Sequence, residues 1–280
     1  MIFRRYDNIE AYKTTVLETL LEHEIQNNLL LSLITGSQAH LATDWLLVTI
    51  NDESDGILLT ALCVSTFDLL LYETGNNCRN DAVEHLAREL RRTGYNPPGV
   101  MADTDLAKRF ADAFVGKGKS RLHMSMSAMR LDKLESYKKA PGFVRPLHEH
   151  DMTFAPYWER AFSEDCRSHV FSIPENTERL KTRLGKDNHF IWENGQPVSQ
   201  AVYGRDTPNG AVINGVYTPP RFRGKGYATS VVAALTDELL KRGKSYCCLI
   251  ADSDNPVSCG IYRKLGYYEV CKLEDIRFDI

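Results

Sequence analysis

Apolar residues in the second half of the chain follow first a strand pattern and then a helix pattern. Residues 211–217 are apolar and β-prone, and this run ends at Thr218-Pro-Pro because proline cannot donate to a sheet ladder. A second buried strand is predicted over residues 245–251. Between the two strands, apolar residues recur at helical spacing and mark one buried face: Ala228, Val231, Val232, Leu235 and Leu239.

The same half carries further strands and helices on each side of this segment. Residues 143–146 form its first predicted strand, and residues 189–192 and 197–203 form a hairpin around Glu-Asn-Gly, which is a turn sequence. The alternation of Ile276, Phe278 and Ile280 predicts a closing strand. Two helices are predicted before the hairpin, one carrying Phe154, Tyr157, Trp158, Ala161 and Phe162, the other around Leu180 and Leu184.

The first half also alternates helices and strands. Asp7 and Glu10 resemble a capping box that opens a helix. Further patterns predict strands over residues 45–50 and 57–72, helices with apolar positions at 83–90 and 106–114, and a half-buried strand over 122–127.

The length of 280 residues predicts two domains of roughly 140 residues each. The segment Lys138-Lys-Ala-Pro-Gly is the predicted linker. We therefore expect an N-terminal α/β domain over residues 1–137 and a second domain over residues 141–280.

Composition narrows the classes of partner. A net charge of −3 gives no overall attraction to nucleic acid or to an anionic membrane. The start lacks the apolar region of a signal peptide, and the most apolar stretch, residues 57–72, is too short to span a bilayer. Seven cysteines without paired spacing indicate a reduced, cytoplasmic protein. His148-Glu-His150 has no further ligand at helical spacing, so a polar loop is favoured over a metal site.

Residues 223–228 read Arg-Gly-Lys-Gly-Tyr-Ala and lie between a predicted strand and a predicted helix. A glycine-rich turn at this place leaves backbone N–H groups unpaired, and the helix N-terminus adds a partial positive charge. The segment therefore predicts a binding site for phosphate.

Two common phosphate motifs fit this segment poorly. A Walker-type loop requires glycine where the chain has Pro219, and Ser or Thr where it has Gly226. A dinucleotide fingerprint requires three glycines; Gly224 and Gly226 match, but Thr229 occupies the third position.

A third pattern, Arg/Gln-x-x-Gly-x-Gly/Ala, is matched in full by Arg223, Gly226 and Ala228. About thirty residues further on, Asn-x-x-Ser-x-x-x-Tyr-x-x-x-Gly-Tyr begins at Asn255, a predicted helix N-cap before Pro256. Together the two motifs resemble those of the GNAT superfamily of acyl-CoA-dependent N-acetyltransferases, and the resemblance covers the second half of the chain.

This resemblance implies an α/β (α+β) fold in which helices flank a mixed central sheet, preceded by a second α/β domain. The first half has a similar order of elements but no Arg-x-x-Gly-x-Gly/Ala loop. It is interpreted as a degenerate GNAT-like domain that either closes over the active site or stabilises the other half.

The resemblance also assigns roles to residues. In the family the loop binds the pyrophosphate of coenzyme A through backbone amides, and a tyrosine, here Tyr262, protonates the leaving thiolate; its alternative role is that of a core aromatic. Acetyl-CoA is the implied co-substrate, with no metal. The implied contacts with it are Val216, Tyr217, Arg221, Arg223, Gly224, Lys225, Gly226, Tyr227, Ala228, Asn255 and Ser258. Instead of contacting acetyl-CoA, Arg221 and Lys225 could simply form a solvated basic surface, and Asn255 could simply cap a helix.

No general base is evident, because the predicted strand over residues 211–217 has no acid. Asp252 ends a predicted strand near the site and is a candidate catalytic residue, although it could instead cap the next helix. Glu193 is placed at a hairpin tip and is therefore expected on the surface. An amine that arrives neutral needs only water.

Three functions follow from these features. The first is transfer of an acetyl group from acetyl-CoA to a primary amine, on a small molecule or a peptide, and the second is a non-catalytic acyl-CoA binder. The third is a nicotinamide-dependent enzyme that uses the partial Gly-x-Gly. Tyr157 and Trp158 are candidate contacts with the acceptor, whose identity the sequence leaves open.

Overall fold

The computed structural model describes residues 1–36, 44–65, 67–75 and 79–279. The chain divides into two compact units, Met1–Ala128 together with Glu269–Ile280, and Met129–Tyr268. The division differs from the predicted one, because the linker expected at residues 138–142 lies inside the second unit. The closing segment expected in the second domain belongs to the first unit.

The described residues of the first unit form a sheet and four helices. Its strands run antiparallel from β1 to β4, β4 pairs parallel with β5, and β5 pairs antiparallel with β12. Its elements are β1 (Ile2–Arg5), α1 (Ile9–Leu21), α2 (Asn28–Thr35), β2 (Trp45–Asn51), β3 (Ile57–Val64), β4 (Leu69–Glu73), α3 (Asn80–Arg92), β5 (Gly99–Asp103), α4 (Thr104–Val115), β6 (Ser120–Leu131) and β12 (Tyr268–Phe278).

The predicted elements of the first half are confirmed, with three additions and two differences. The patterns missed β1, α2 and β5, which are short. Asn8, rather than Asp7, caps α1, because its Oδ1 accepts the N–H of Ala11 at 2.9 Å. Strand β6 does not alternate as expected: Leu122 is exposed, whereas residues 126–129 are buried in succession. Alternation is lost because consecutive residues there are covered on both faces of the sheet.

The second unit repeats this order of elements. Its sheet runs β7–β8–β9–β10 antiparallel, and β10 pairs parallel with β11. Its elements are β7 (Phe143–Pro146), α5 (Ala155–Asp165), α6 (Ile173–Lys181), β8 (His189–Glu193), β9 (Pro197–Asp206), β10 (Gly210–Tyr217), α7 (Tyr227–Lys241), β11 (Tyr246–Asp252) and α8 (Pro256–Leu265). Each strand and helix predicted between residues 143 and 265 is present.

The predicted closing strand exists as β12, but its partner is not in the second half. Ile276 pairs with Val100 of β5, and Phe278 joins the core of the first unit beside Phe110 and Phe114. Ile280 lies outside the described residues. Alternation shows which face of a strand is buried, and it carries no information on which strand lies next to it.

At the end of β4 the first unit holds a carboxylate where the second unit has its glycine-rich loop. Glu73 accepts the backbone N–H of Arg79 at 2.7 Å, directly before α3, and forms an ion pair with Arg109 of α4. An internal anion therefore occupies the N-terminal side of α3.

Among the described residues, no helix is both long enough and apolar enough to cross a membrane. The six cysteines of this part of the chain are all free thiols.

Gly142 is a position where side-chain bulk should destabilise the second unit. Its φ is +112°, and an added Cβ would lie 2.2 Å from the carbonyl oxygen of Glu193 and 2.9 Å from the indole nitrogen of buried Trp192. We expect Gly142→Ala to lower the free energy of unfolding by about 2–4 kcal/mol, from backbone strain plus the displaced strand. Urea denaturation measures this change.

Gly185→Ala is the matched control, because Gly185 also has a positive φ, +73°, but no atom within 4 Å of an added Cβ. Backbone strain alone should cost about 1 kcal/mol there. Equal losses at the two glycines would contradict the proposed clash with Glu193.

Candidate active site

Strands β10 and β11 separate part-way along their length. Their parallel pairing joins Gly210, Ala211 and Val212 to residues 246–248, yet β10 continues to Tyr217 and β11 to Asp252. All residues of this region are described, so the pairing ends at Val212. A cleft therefore opens between the carboxyl halves of two parallel strands, where ligands of α/β sheets commonly bind.

A bulge in β10 lies beside this cleft. The register with β9 shifts between Asn214 and Tyr217, so Gly215 and Val216 have no partner in the described ladder. Gly215 adopts a φ of +57°, which glycine tolerates without strain. This bulge turns main-chain groups of β10 out of the sheet.

The loop after β10 presents a row of backbone donors. Gly224 and Gly226 have φ values of +75° and +81°, and the first backbone bond within α7 runs from the N–H of Ser230 to the carbonyl of Gly226 at 3.0 Å. Among the described residues, the N–H groups of residues 224–229 have no acceptor. Residues 223–226 are exposed. Six free amides at a helix N-terminus fit a pyrophosphate group.

Arg223 fastens the loop rather than pointing freely into solvent. Its Nε donates to the carbonyl of Thr218 at 2.9 Å, and its Nη2 donates to Asp165, at the end of α5, at 2.7 Å. Its guanidinium also lies 5.9 Å from the ring of Tyr217. Arg221 stacks on Phe222 at 4.5 Å and Lys225 is exposed, so both are free to meet an anion near the loop.

The second motif begins with a cap and a turn. Asn255 Oδ1 accepts the N–H of Ser258 at 3.0 Å, which confirms its role as the N-cap of α8. Asp252 accepts Nη2 of Arg167 at 3.0 Å with one oxygen and the N–H of Asp254 at 2.9 Å with the other. Both oxygens of Asp252 therefore have partners, an arrangement typical of a structural carboxylate.

Tyr262 of α8 is buried at the rim of the core. Its side chain is 7% exposed, and its ring meets that of Tyr267 edge-on at 5.9 Å. Burial raises the pKa of Tyr262 to about 12, while a hydrogen bond with Ser258 acts in the opposite direction. The hydroxyl therefore stays protonated throughout the physiological pH range.

A polar network that the sequence did not reveal lies against the bulge. Glu159 of α5 accepts Nε2 of Gln200 at 3.0 Å, and its Oε1 lies 3.3 Å from Nη1 of Arg183. The same Gln200 amide also donates to the carbonyl of Gly215 at 3.3 Å. An added Cβ at Gly215 would lie 3.9 Å from Glu159 Oε1, so this carboxylate reaches the bulge directly.

Buried His189 completes the network. One ring nitrogen faces Gln200 at 3.3 Å, whereas Nδ1 has no partner among the described residues. Burial, followed by the charge of Arg183, lowers the pKa of His189 to about 3, so the ring is neutral. The only sequence signal for the network was the aromatic helix around Trp158, whose next residue is Glu159. Trp158 does approach Tyr217 of β10, at 6.0 Å, but Tyr157 is 58% exposed and points away from the core.

Sequence comparison agrees with this geometry. The FR47-like protein family matches residues 194–275, a stretch that contains both the loop and the second motif. An acetyltransferase of Pectobacterium atrosepticum is 36% identical over 99 residues, which are 35% of this chain and 69% of that protein. The chain belongs to the GNAT superfamily of acetyltransferases. It is therefore an acyltransferase.

Solved GNAT structures share the fold. A GNAT-family acetyltransferase from Colwellia psychrerythraea superimposes with a TM-score of 0.66 over 99% of both chains, at 11% identity. A GCN5-related N-acetyltransferase from Sphaerobacter thermophilus gives a TM-score of 0.67 over 99% of this chain and 94% of its own, at 15% identity. At such identities the likeness concerns the fold and not the substrate.

Two further groups considered from the sequence lie apart from the GNAT cleft. Glu193 ends β8 and pairs with Arg145. His148, His150 and Asp151 bring their ligand atoms within 4.8 Å of one another. Asp151, however, accepts two bonds from Arg145, at 2.7 and 2.8 Å, and the N–H of His148. The arginine already neutralises the one buried carboxylate of that group, which disfavours a cation there.

Proposed function

We propose that this protein is an N-acetyltransferase that moves an acetyl group from acetyl-CoA to a primary amine. The observation that carries this proposal is the row of free amides at residues 224–229 beside the opened strands β10 and β11. These features suit a ligand with a pyrophosphate and an extended arm, which coenzyme A has. When bound, coenzyme A supplies an acyl thioester activated for transfer to an amine.

Each part of the cleft has a role in this proposal. The amides of residues 224–229 bind the pyrophosphate, with Arg221 and Lys225 adding positive charge. Main-chain groups of Val216, freed by the bulge, orient the arm and polarise the carbonyl. Tyr217 lies beside them at the end of β10, although its own carbonyl already accepts Ser199 Oγ at 3.1 Å. Asn255 and Ser258 lie toward the thiol end.

Tyr262 is the proposed proton donor to the departing sulfur. A thiol has a pKa of about 8.5, so transfer from a phenol of pKa about 12 is uphill by roughly 5 kcal/mol. A turnover of about 10 per second corresponds to a barrier of roughly 16 kcal/mol, which accommodates that cost. Asp252 was one candidate base, but its partners, Arg167 and the Asp254 amide, make it a poor acceptor of the amine proton, so an amine that arrives neutral passes its proton to water.

The test is release of free thiol from acetyl-CoA in the presence of a panel of amines, with mass spectrometry of the products. The expected result is amine-dependent thiol release and a product heavier by one acetyl group. Binding of acetyl-CoA without release for any amine would instead support a non-catalytic acyl-CoA binder. Binding of a nicotinamide dinucleotide and indifference to coenzyme A would support the third function.

The role of the amides can be tested by deleting one of them. Ala228 is the second residue of α7, and proline already occupies this position in α5 and α6, as Pro156 and Pro174. Ala228→Pro removes an N–H that makes no bond within the protein, so the helix should persist. We expect the KM for acetyl-CoA to rise about 10–100-fold, the loss of one hydrogen bond to a charged group, with kcat little changed.

Ala228→Leu is the matched control, because it adds bulk but keeps the N–H. An unchanged KM in the proline variant, or an equal rise in the leucine variant, would contradict binding by this amide.

A further inference from the structure

Arg183, the ion-pair partner of Glu159 beside the bulge, has a buried donor that nothing in the described chain accepts. The Arg183 side chain is 22% exposed, and its buried Nη1 has no hydrogen-bond partner. Its one ion pair, to Glu159 at 3.3 Å, does not meet hydrogen-bond geometry. Buried guanidinium nitrogens normally have hydrogen-bond partners, so this donor of Arg183 points to a ligand.

Arg179, one helical turn earlier, is exposed and adds a second positive charge near Arg183. Its guanidinium stacks on Phe171 at 4.0 Å, and no hydrogen bond to it is present in the described residues. Burial, and then the charge of Arg183, lowers the pKa of Arg179. Two cations held near each other, with Glu159 and Glu175 as the nearby acids, favour an anion between them. Glu175 is already engaged in the capping box of α6 with Ser172.

Glu159 supplies the opposite charge at the same place. Its Oε1 has the partners Gln200 and Arg183, whereas Oε2 has none among the described residues. The carboxylate therefore retains an oxygen for a ligand cation, next to the bulge at Gly215.

We propose that the acceptor is an amine that carries an anionic group in the same small molecule, as α-amino acids do. Arg183 and Arg179 bind the anionic group, and Glu159 receives the ammonium group. The adjacent Glu159 and Arg183 present a negative and a positive charge side by side, which complements an ammonium and a carboxylate separated by one carbon. This inference rests on the proposed acetyl transfer for the direction of the reaction, but not for binding itself.

The experiment compares matched acceptors on the intact chain. Titration calorimetry without acetyl-CoA, and then thiol release with it, would be measured for a set of amino acids, their neutral carboxamides, aminoalkylphosphonates and neutral peptides with a free N-terminus. We expect at least one anionic amine to bind, and to react with a kcat/KM at least 10-fold above its neutral counterpart. A preference for the phosphonate over the amino acid would identify the anion as phosphate-like and retain the proposal.

Substitutions of the two arginines separate recognition of the anionic group from a general loss of structure. Arg183→Gln and, at the more exposed position, Arg179→Gln should each reduce the preference for the anionic amine at least 10-fold, with the neutral amine affected much less. Arg160→Gln is the matched control, because Arg160 is half exposed on α5 and pairs only with Glu164 in the described residues. It should leave the preference unchanged.

The two proposals fail in distinguishable ways. Equal use of anionic and neutral amines, or a preference that survives both arginine substitutions, would overturn the present inference and leave the acetyltransferase proposal standing. Binding of an anionic amine that depends on Arg183, without any thiol release, would sustain this inference and overturn the proposed function.

Discussion

Replacing Tyr262 with phenylalanine should lower kcat by about 10²–10⁴-fold and leave the KM for acetyl-CoA nearly unchanged, because a positioned proton donor acts on the transition state and not on binding. The ring remains in place, so packing against Tyr267 and the rest of the core is retained. Steady-state thiol release, with amine saturating, measures both constants.

Tyr267→Phe is the control for this substitution. Tyr267 is also buried, and its hydroxyl forms a hydrogen bond with the hydroxyl of Thr236 at 2.8 Å. We expect that variant to lose stability, by about 1 kcal/mol, but not kcat. Equal turnover in wild type and Tyr262→Phe would exclude Tyr262 as the acid. Since its pKa is about 12, ionisation of Tyr262 should not depress activity below about pH 11.

Acid should destabilise the protein through His189. The folded pKa, about 3, lies below the ordinary value of 6.5, so the unfolded chain binds a proton that the folded chain excludes. The contribution of a neutral His189 to stability is therefore complete above about pH 6.5 and is lost as the pH falls toward 3. The shift corresponds to about 5 kcal/mol in total, most of it gained or lost between pH 6 and 4.

Urea denaturation at a series of pH values tests this effect. In His189→Gln the new amide can still contact Gln200. The free energy of unfolding should then depend less steeply on pH between 6.5 and 4, by the equivalent of about one proton taken up on unfolding. His169→Gln, at an exposed histidine, serves as the control and should retain the wild-type slope. A wild-type slope in His189→Gln would show that another group carries the acid sensitivity.

Local patterns predicted most of the strands and helices, and they predicted a loop between a strand and a helix at residues 223–228. The run over residues 211–217, the prolines after it and the apolar spacing of α7 suffice to place a glycine-rich loop between a strand and a helix. The predicted cap of α8 by Asn255 also follows from neighbouring residues alone. These features depend on contacts within a few positions, which a single sequence records.

The network around Glu159 could not be found in that way. Glu159 accepts a hydrogen bond from Gln200, which is 41 residues further along the chain, and it lies near Gly215. Nothing in its immediate sequence distinguishes it from a surface acid of an amphipathic helix. The partner of β12 was missed for the same reason. Contacts between distant segments are decided by packing, which periodicity does not describe.

The carboxylate of Glu73 affects which amino-acid substitutions the first and the second unit can tolerate. In the first unit the carboxylate of Glu73 accepts the backbone N–H of Arg79, directly before α3, whereas under the proposed function a phosphate of the ligand binds before α7 in the second unit. The first unit therefore has an anionic side chain of its own beside the N-terminus of α3, whereas the second unit would receive its anion from the ligand. Under the proposed function, substitutions near residues 224–229 should be constrained by ligand binding, whereas substitutions of Glu73 should be constrained by contacts within the protein, to the Arg79 N–H and to Arg109.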